Sequence, residues 1–118
     1  MPFFDDNTPQ AMENGLQLGQ KKTSTGAAGA VTSNANSGVI TTEALATAAA
    51  GVQAYTLTNS KIKASNFVLF SPGLGTATTG LPLIGSVVTA AGSCTFVIKN
   101  GDAAAAFNGT LKVGFLII

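Results

Sequence analysis

Alternating apolar and polar residues are clearest in the sequence Cys94-Thr95-Phe96-Val97-Ile98-Lys99, which points to a β-strand. An extended backbone places the cysteine, the phenylalanine and the isoleucine on one face, and the residues between them on the other. Residues 52–59 repeat the pattern, with Tyr55 and Leu57 on one face and threonines opposite. A two-residue period of this kind predicts β-strands that are buried on one side.

Working outward from these two stretches, turn residues divide the chain after Gly29 into short segments. The predicted strands are 30–33, 38–42, 52–59, 67–71, 83–90, 93–100 and 111–118. Their spacing of roughly 8–12 residues is typical of an all-β sandwich or barrel. Asn100-Gly101 and Asn108-Gly109 are dipeptides that favour tight turns with positive φ. The alanine-rich residues 42–51 have high helix propensity, and we expect at most one short helix or a turn there.

Residues 1–30 differ from the rest of the chain, since they show no sustained hydrophobic period. They are predicted to form an extended N-terminal arm, and residues 31–118 the β-sandwich domain. Residues 7–15 have a cap residue, a proline and a closing glycine, which suffice for one or two helical turns. The arm carries apolar side chains with nothing of its own to bury them, so they are candidates for contact with a partner. They are Phe3, Phe4, Met12, Leu16 and Leu18. The alternative is a frayed terminus.

The last predicted strand, 111–118, is apolar on both faces near its end. A strand of this kind is usually covered on both sides. Because so small a domain has little material for a second cover, a subunit interface is expected to supply it. The residues predicted to form that interface are Val113, Phe115, Leu116, Ile117 and Ile118.

The composition excludes several classes of protein. The chain of 118 residues has no His, no Trp and only five acids, so the usual general bases, metal sites and nucleophile pairs cannot be assembled. We therefore expect no enzyme, no metal and no cofactor. All six cations are lysines and the formal net charge is +1, which gives no electrostatic footprint for nucleic acid. No apolar run approaches the roughly 20 residues of a membrane helix, and acids replace the basic start of a signal peptide. Synthesis in the cytoplasm is expected.

Four local motifs could be interpreted as functional sites, but for each of them a purely structural interpretation is favoured. Residues 71–80 begin G-x-G, but Thr78 stands where a phosphate loop needs the next glycine, so a loop at the end of the sandwich is predicted. Cys94 has no partner cysteine and is predicted to be a small buried hydrophobe. Asp102 lacks the carboxylate companions of a calcium loop. Lys61 and Lys63 are predicted to be solvated turn residues. No catalytic constellation emerges.

The order of the segments resembles a small β-domain of structural proteins of tailed bacteriophages, in particular head decoration (cement) proteins and modules of virion fibres. The resemblance covers roughly residues 30–118, and its most distinctive motif is Tyr55-Thr56-Leu57-Thr58-Asn59-Ser60. It implies an antiparallel, jelly-roll-like β-sandwich, association as a homotrimer through the last strand, and a place on the outer surface of the virion. It brings no catalytic residues.

Two functions follow from the resemblance. The first is a capsid decoration protein that clamps subunits of the major capsid protein, with the arm lying along neighbouring capsid subunits and no part for nucleic acid or membrane. The alternative is a fibre or knob module that binds a host-surface ligand through the loop at 72–80. Decoration is favoured because receptor binders more often expose aromatic residues at loop tips, whereas the aromatic residues here lie in strands and at the N-terminus.

Overall fold

The computed structural model describes residues 21–27 and 29–118, which form eight β-strands and no helix. The all-β prediction and the arrangement as two packed sheets are confirmed. The strands are β1 Lys21–Thr25, β2 Ala30–Thr32, β3 Ser37–Thr41, β4 Val52–Thr58, β5 Val68–Leu74, β6 Pro82–Ala90, β7 Ser93–Asn100 and β8 Leu111–Ile117. The helical turns predicted within residues 7–15 lie outside the described residues.

The eight strands form two four-stranded sheets. Sheet A has the order β1-β3-β8-β5, and sheet B has the order β2-β4-β7-β6. The first four strands alternate between the two sheets. β1 and β2 are the edge strands at one side of the sandwich, and β5 and β6 are the edge strands at the other side. The two middle strands of each sheet are therefore protected by neighbours, and the β5/β6 side is not.

Two of the pairings correct the antiparallel prediction. β1 pairs with β3 and β2 pairs with β4 in parallel, while the other four pairings are antiparallel. Parallel neighbours need a crossover between them, and here the intervening strand in the opposite sheet supplies it. The strand at Lys21–Thr25 also shows that the predicted boundary between residues 30 and 31 falls inside the sandwich. The jelly-roll detail stays a prediction.

The core lies between the sheets and follows the predicted alternation. Tyr55 and Phe96 are directly opposite on β4 and β7, and their rings stack with centroids 5.8 Å apart. Phe70 of β5 stacks on Phe96 at 4.2 Å, which joins the two sheets by aromatic contact. Cys94 is fully buried beside them, as predicted. The other large, fully buried apolar residues are Phe107, Ile40, Leu57, Ile98, Leu111 and Val113.

The connections depart from the sequence prediction in their details. Residues 42–51 contain no helix, and Leu45 instead forms an isolated bridge to Gly109, with its N–H 2.8 Å from the Gly109 carbonyl. The turn alternative is therefore the correct one. Neither Gly101 nor Gly109 has positive φ, contrary to the turn prediction for both Asn-Gly pairs. Positive φ occurs instead at Gly92 (82°), the second residue of the two-residue β6–β7 turn.

Candidate interaction surface

An exposed group of apolar side chains covers one end of the outer face of sheet A. Phe67 and Ile118 extend the β5–β8 ladder by one pair, since each backbone N–H donates to the other's carbonyl, at 3.1 and 2.8 Å. Leu69 and Leu116 form the next pair on the same face. Phe67, Leu69 and Ile118 are 75%, 54% and 63% exposed. We call these four residues the apolar patch.

The backbone that carries the apolar patch is held in place by Asn66. The Asn66 side-chain amide donates to the Ile118 carbonyl at 3.1 Å, and its oxygen accepts from the Lys63 N–H at 2.6 Å. The intervening residue Val68 is buried, so its neighbours Phe67 and Leu69 point outward. Cross-strand neighbours on one face stand about 4.5–5.5 Å apart, which makes the four side chains one continuous surface.

Burial of the apolar patch by a binding partner would be favourable in free energy. Complete burial of a leucine, isoleucine or phenylalanine side chain stabilises a protein by about 1.5–3 kcal/mol relative to its exposure to water. The four side chains lie together, so a single binding partner would cover them at once. A contiguous exposed surface of this type marks a site of protein interaction more often than scattered apolar residues do.

A second apolar surface, which we call the open edge, lies where β5 and β6 leave the two sheets without neighbours. Its side chains point between the sheets but are only partly covered, and they are Phe70, Leu74, Ile84 and Val87. Leu74 and Val87 are 42% and 38% exposed. Neither edge strand contains a charged residue.

Exposed strand edges are normally protected against pairing with other chains. Here the protection consists of Pro72 in β5 and an irregularity of register between Ile84 and Val87 in β6, because no lysine is present in either strand. No residue of β6 is fully buried. The open edge therefore leaves apolar side chains of both edge strands partly exposed to solvent.

Charged side chains lie at both ends of the sandwich. Lys112 is on the outer face of β8 but far from the apolar patch, because it pairs with Thr41 at the end of β3, whereas Leu116 pairs with Ser37 at its start. Lys61 and Lys63 are exposed in the connection that leads into Phe67. The two acids of the described chain, Glu43 and Asp102, follow β3 and β7 at the opposite end of the sandwich. In the described chain, the charged residues nearest in sequence to Phe67 are thus two lysines.

The structure changes the membership of the predicted subunit interface. Val113 and Phe115 are 0% and 4% exposed, because they face inward from a central strand and pack in the core of a single chain. Their side chains cannot form an interface, which corrects that part of the prediction. Leu116 and Ile117 are half-buried and Ile118 is exposed.

Two members of the apolar patch, Phe67 and Leu69, were missed by the sequence reasoning. Both fall within a segment that was predicted to be a strand, but its pairing with β8 has no local signal. The predicted contact residues of the arm lie outside the described residues, and the structure does not place them. They are Phe3, Phe4, Met12, Leu16 and Leu18.

The Cys94 thiol and the Asp102 carboxylate, which could in principle be reactive, have structural roles in the described chain. Burial raises the pKa of the Cys94 thiol, which disfavours the reactive thiolate. The Asp102 carboxylate accepts the N–H groups of Ala104 and Ala105 at 2.8 and 3.0 Å, and these bonds lower its pKa. Within residues 21–27 and 29–118, no three His, Cys, Asp or Glu side chains lie close enough together to hold a metal ion. In the same ranges no helix is long and apolar enough to span a membrane.

The glycine-rich residues 71–80 are more ordered than the predicted loop at the sandwich end. Residues 71–74 belong to β5. The remainder is fastened to the chain before β8, where the Thr76 N–H donates to Thr110 Oγ1 at 2.9 Å and the Thr78 N–H donates to Asn108 Oδ1 at 2.7 Å. The segment is a bonded part of the sheet end and offers no free loop of backbone N–H groups for a phosphate.

Comparison with known proteins gives no relative from which a role could be carried over. No family model, no curated protein and no solved structure matches the chain.

Proposed function

We propose that the chain is a capsid decoration protein, which binds the outer surface of a phage head as a homotrimer and stabilises contacts between subunits of the major capsid protein. It acts by binding and performs no chemistry. The observation that carries the proposal is the apolar patch, because three of its four adjacent side chains are more than half exposed, and a contiguous apolar surface marks an interaction site more often than scattered apolar residues do.

The open edge supports the same proposal. A trimer and a capsid lattice present several surfaces to each chain, and this chain has two distinct apolar surfaces to be covered, on the outer face of sheet A and along β5 and β6. In this arrangement, copies of the chain cover the apolar patch and the capsid protein lies against the open edge. The jelly-roll-like character implied by the phage resemblance belongs to this proposal as well.

Multivalency explains how such surfaces could suffice. A trimer that contacts the capsid at three places converts the second and third contacts into intramolecular events. Contacts that are individually weak then hold together, without a single large interface. The predicted N-terminal arm would add further contacts along neighbouring capsid subunits.

The proposal is tested with heads of the virus that encodes the chain. Heads produced without the protein should lose their DNA at a lower temperature or after milder osmotic shock, and addition of the purified protein should restore their resistance. Copy number provides the second measurement. Hundreds of copies per virion support decoration, whereas a handful at one vertex or in the tail would indicate the fibre role. Equal resistance of heads with and without the protein contradicts a stabilising role.

A further inference from the structure

We propose that two copies of the chain pair through the first half of β5, antiparallel and about a two-fold axis that passes beside Leu69. The proposal goes beyond the decoration function, since a two-fold contact cannot by itself build a homotrimer and requires no capsid protein. It rests on three observations: which backbone groups of β5 face outward, where Pro72 stands, and which side chains the pairing brings together.

Every second residue of β5 directs its backbone N–H and C=O away from sheet A. Phe67 and Ile118 exchange both of their backbone hydrogen bonds, and beyond the other end of β5 the Gly75 N–H donates to the Thr110 carbonyl at 2.9 Å. Because bonded and non-bonded pairs alternate along an antiparallel ladder, the odd-numbered residues of β5 bond to β8. The backbone groups of the even-numbered residues therefore face the open edge. These residues are Val68, Phe70, Pro72 and Leu74.

The outward backbone groups of β5 are available for pairing. Among the residues that the structure describes, β8 is the one strand beside β5, and no other hydrogen bond reaches the outward groups of β5. An edge of this kind is a template for pairing with another chain. Pro72 has no N–H, and it stands at an outward position, where an edge strand tolerates proline. Regular pairing is thereby confined to the residues before it, 67–71.

One antiparallel register of two copies satisfies the outward groups that precede Pro72. It places Leu69 of one copy opposite Leu69 of the other. Val68 of each copy then forms a bonded pair with Phe70 of the other, and each N–H in the pair donates to the opposite carbonyl. The pairing obeys two-fold symmetry, because the same contacts are made in both directions.

Shifts of this register by two residues are less favourable in either direction. One shift places Pro72 opposite Val68, where the proline ring occupies the place of a hydrogen-bond donor. The other shift brings Asn66 into the pairing, although its N–H already donates to the Lys63 carbonyl at 2.9 Å. The free edge of β5 therefore favours the register that is centred on Leu69.

The same register brings the apolar patches of the two copies together. Leu69 lies in one row with Leu116 and Ser37 across sheet A, and the pairing continues this row into the second copy. Residues that are directly opposite in antiparallel strands have Cβ atoms about 4.5–5.5 Å apart, so the two Leu69 side chains would contact each other. No residue of β5 is charged, and the two strands can approach without repulsion.

A second copy fits the edge because its own β5 supplies both the uncharged strand and the leucine that the register requires. The pairing spans about five residues on each side, against about 20–30 in a standard interface, so the contact is expected to be weak. It uses neither Leu74 nor β6, which leaves that part of the open edge to other partners. On a head, the contact would act between neighbouring trimers.

Disulfide formation in the full-length protein tests the proposal. In Leu69→Cys the two thiols would face each other in a non-bonded pair, whose Cα atoms are about 4.5 Å apart, within the range that a disulfide bridges. Mild oxidation should convert this variant to a covalent dimer at least about tenfold faster than Val52→Cys, because pairing raises the effective thiol concentration. Val52 is also exposed, at 62%, but lies on sheet B. The unsubstituted chain is the second control, since its buried Cys94 should form no dimer.

A mixture of two further variants tests the register and the symmetry. Phe67→Cys and Ser71→Cys should each form little dimer alone, because identical positions would be about 13 Å apart, but should form a mixed dimer when combined. A contact about a three-fold axis would give the mixed dimer no preference. All four substituted side chains are exposed, and circular dichroism checks that the variants remain folded.

Amide exchange in the unsubstituted chain provides a measurement without introduced cysteines. The Phe70 N–H should become protected as the protein concentration rises, whereas the Leu69 N–H, which bonds to β8, should be protected throughout. Three results would each overturn the proposal: Leu69→Cys that dimerises no faster than Val52→Cys, a mixed dimer no more abundant than the dimers of either variant alone, or Phe70 exchange that does not depend on concentration. Since none of these measurements involves heads, their outcome is independent of the decoration function.

Discussion

Asparagine side chains, more than ion pairs, hold the connections of this sandwich. Asn100 is fully buried at the end of β7, where its oxygen accepts the N–H groups of Leu81 and Asp102 and its amide donates to the carbonyls of Thr47 and Ala105. One side chain thereby joins three separate connections. A neutral amide can supply both donors and acceptors at a buried position without the desolvation cost of a charge.

Replacement of Asn100 by alanine should therefore be costly. Two backbone N–H groups and two carbonyls would lose the partner that the buried Asn100 side chain supplies, and we expect the free energy of unfolding to fall by about 2–4 kcal/mol. Asn34→Ala is the matched control, because Asn34 is exposed and accepts a single bond from the Ser60 N–H. Urea unfolding measures both variants. Equal losses in the two would show that the bonds of Asn100 do not stabilise the fold.

The hydrogen bonds of Asp102 should make the stability of the fold depend on pH. Its bonds from Ala104 and Ala105 lower its pKa in the folded chain below the ordinary value of 3.8. The resulting stabilisation is present above the unfolded pKa and is lost as the pH falls through the folded pKa. Between about pH 5 and about pH 2, the wild-type chain should lose more stability than Asp102→Asn, whose other carboxylates are identical. Parallel stability curves for the two proteins would contradict this role.

At the scale of elements, β5 and β8 are joined beyond the ladder by a close contact of backbones. Gly109, just before β8, lies against the segment that leaves β5, and a Cβ at this position would be 2.7 Å from Thr76 Oγ1 and 2.8 Å from the Ala77 nitrogen. Backbone atoms cannot move aside as a flexible side chain can. The position requires glycine because of space, not because of φ.

Gly109→Ala should consequently destabilise the protein by about 1–3 kcal/mol, the usual cost of overpacking. Gly73→Ala is the control in β5 itself, since a Cβ there would meet only the Lys112 carbonyl, at 3.9 Å. That variant should be unchanged or slightly more stable, because the unfolded chain loses freedom. Thermal unfolding compares them. A Gly109 variant as stable as the Gly73 variant would exclude the close contact.

The elements that the sequence predicted are those with apolar alternation, such as β4 and β7. β1 was missed because Lys21–Thr25 contains no apolar residue and owes its strand conformation to pairing with β3. The same alternation led to the error at Val113 and Phe115. Their shared face was predicted correctly, but the prediction could not show that β8 is a central strand whose inward face is already covered.

Only half of the apolar patch could be predicted from the sequence, because its other half depends on how the strands pair. Leu116 and Ile118 were predicted to lie in an interface because they belong to a run of consecutive apolar residues. Phe67 and Leu69 join them only through the β5–β8 pairing, which connects residues more than forty positions apart and has no signature in either segment alone. Such surfaces depend on register, and register is set by the whole sheet.

For the whole molecule, the two open sides of the sandwich differ in character, because β1 and β2 form one pair of edges and β5 and β6 form the other. The β1/β2 side is polar in β1, whereas the β5/β6 side has an open edge and the adjoining apolar patch. Few charged residues interrupt these surfaces. This asymmetry supports the proposed function, in which neighbouring proteins cover the exposed apolar side chains.

Binding of the purified full-length protein to heads that lack it tests this account most directly, with Leu69→Thr as the variant and Val52→Thr as the control. Val52 is also an exposed apolar strand residue, at 62%, but it lies on sheet B, away from the apolar patch. We predict that the wild-type and Val52→Thr proteins occupy the heads to the same level. Leu69→Thr, though equally well folded, should form fewer trimers and, because it loses the multivalent attachment, should bind at least about tenfold more weakly, a loss of about 1.4 kcal/mol. Absence of wild-type binding, or equal binding of all three proteins, would contradict the account.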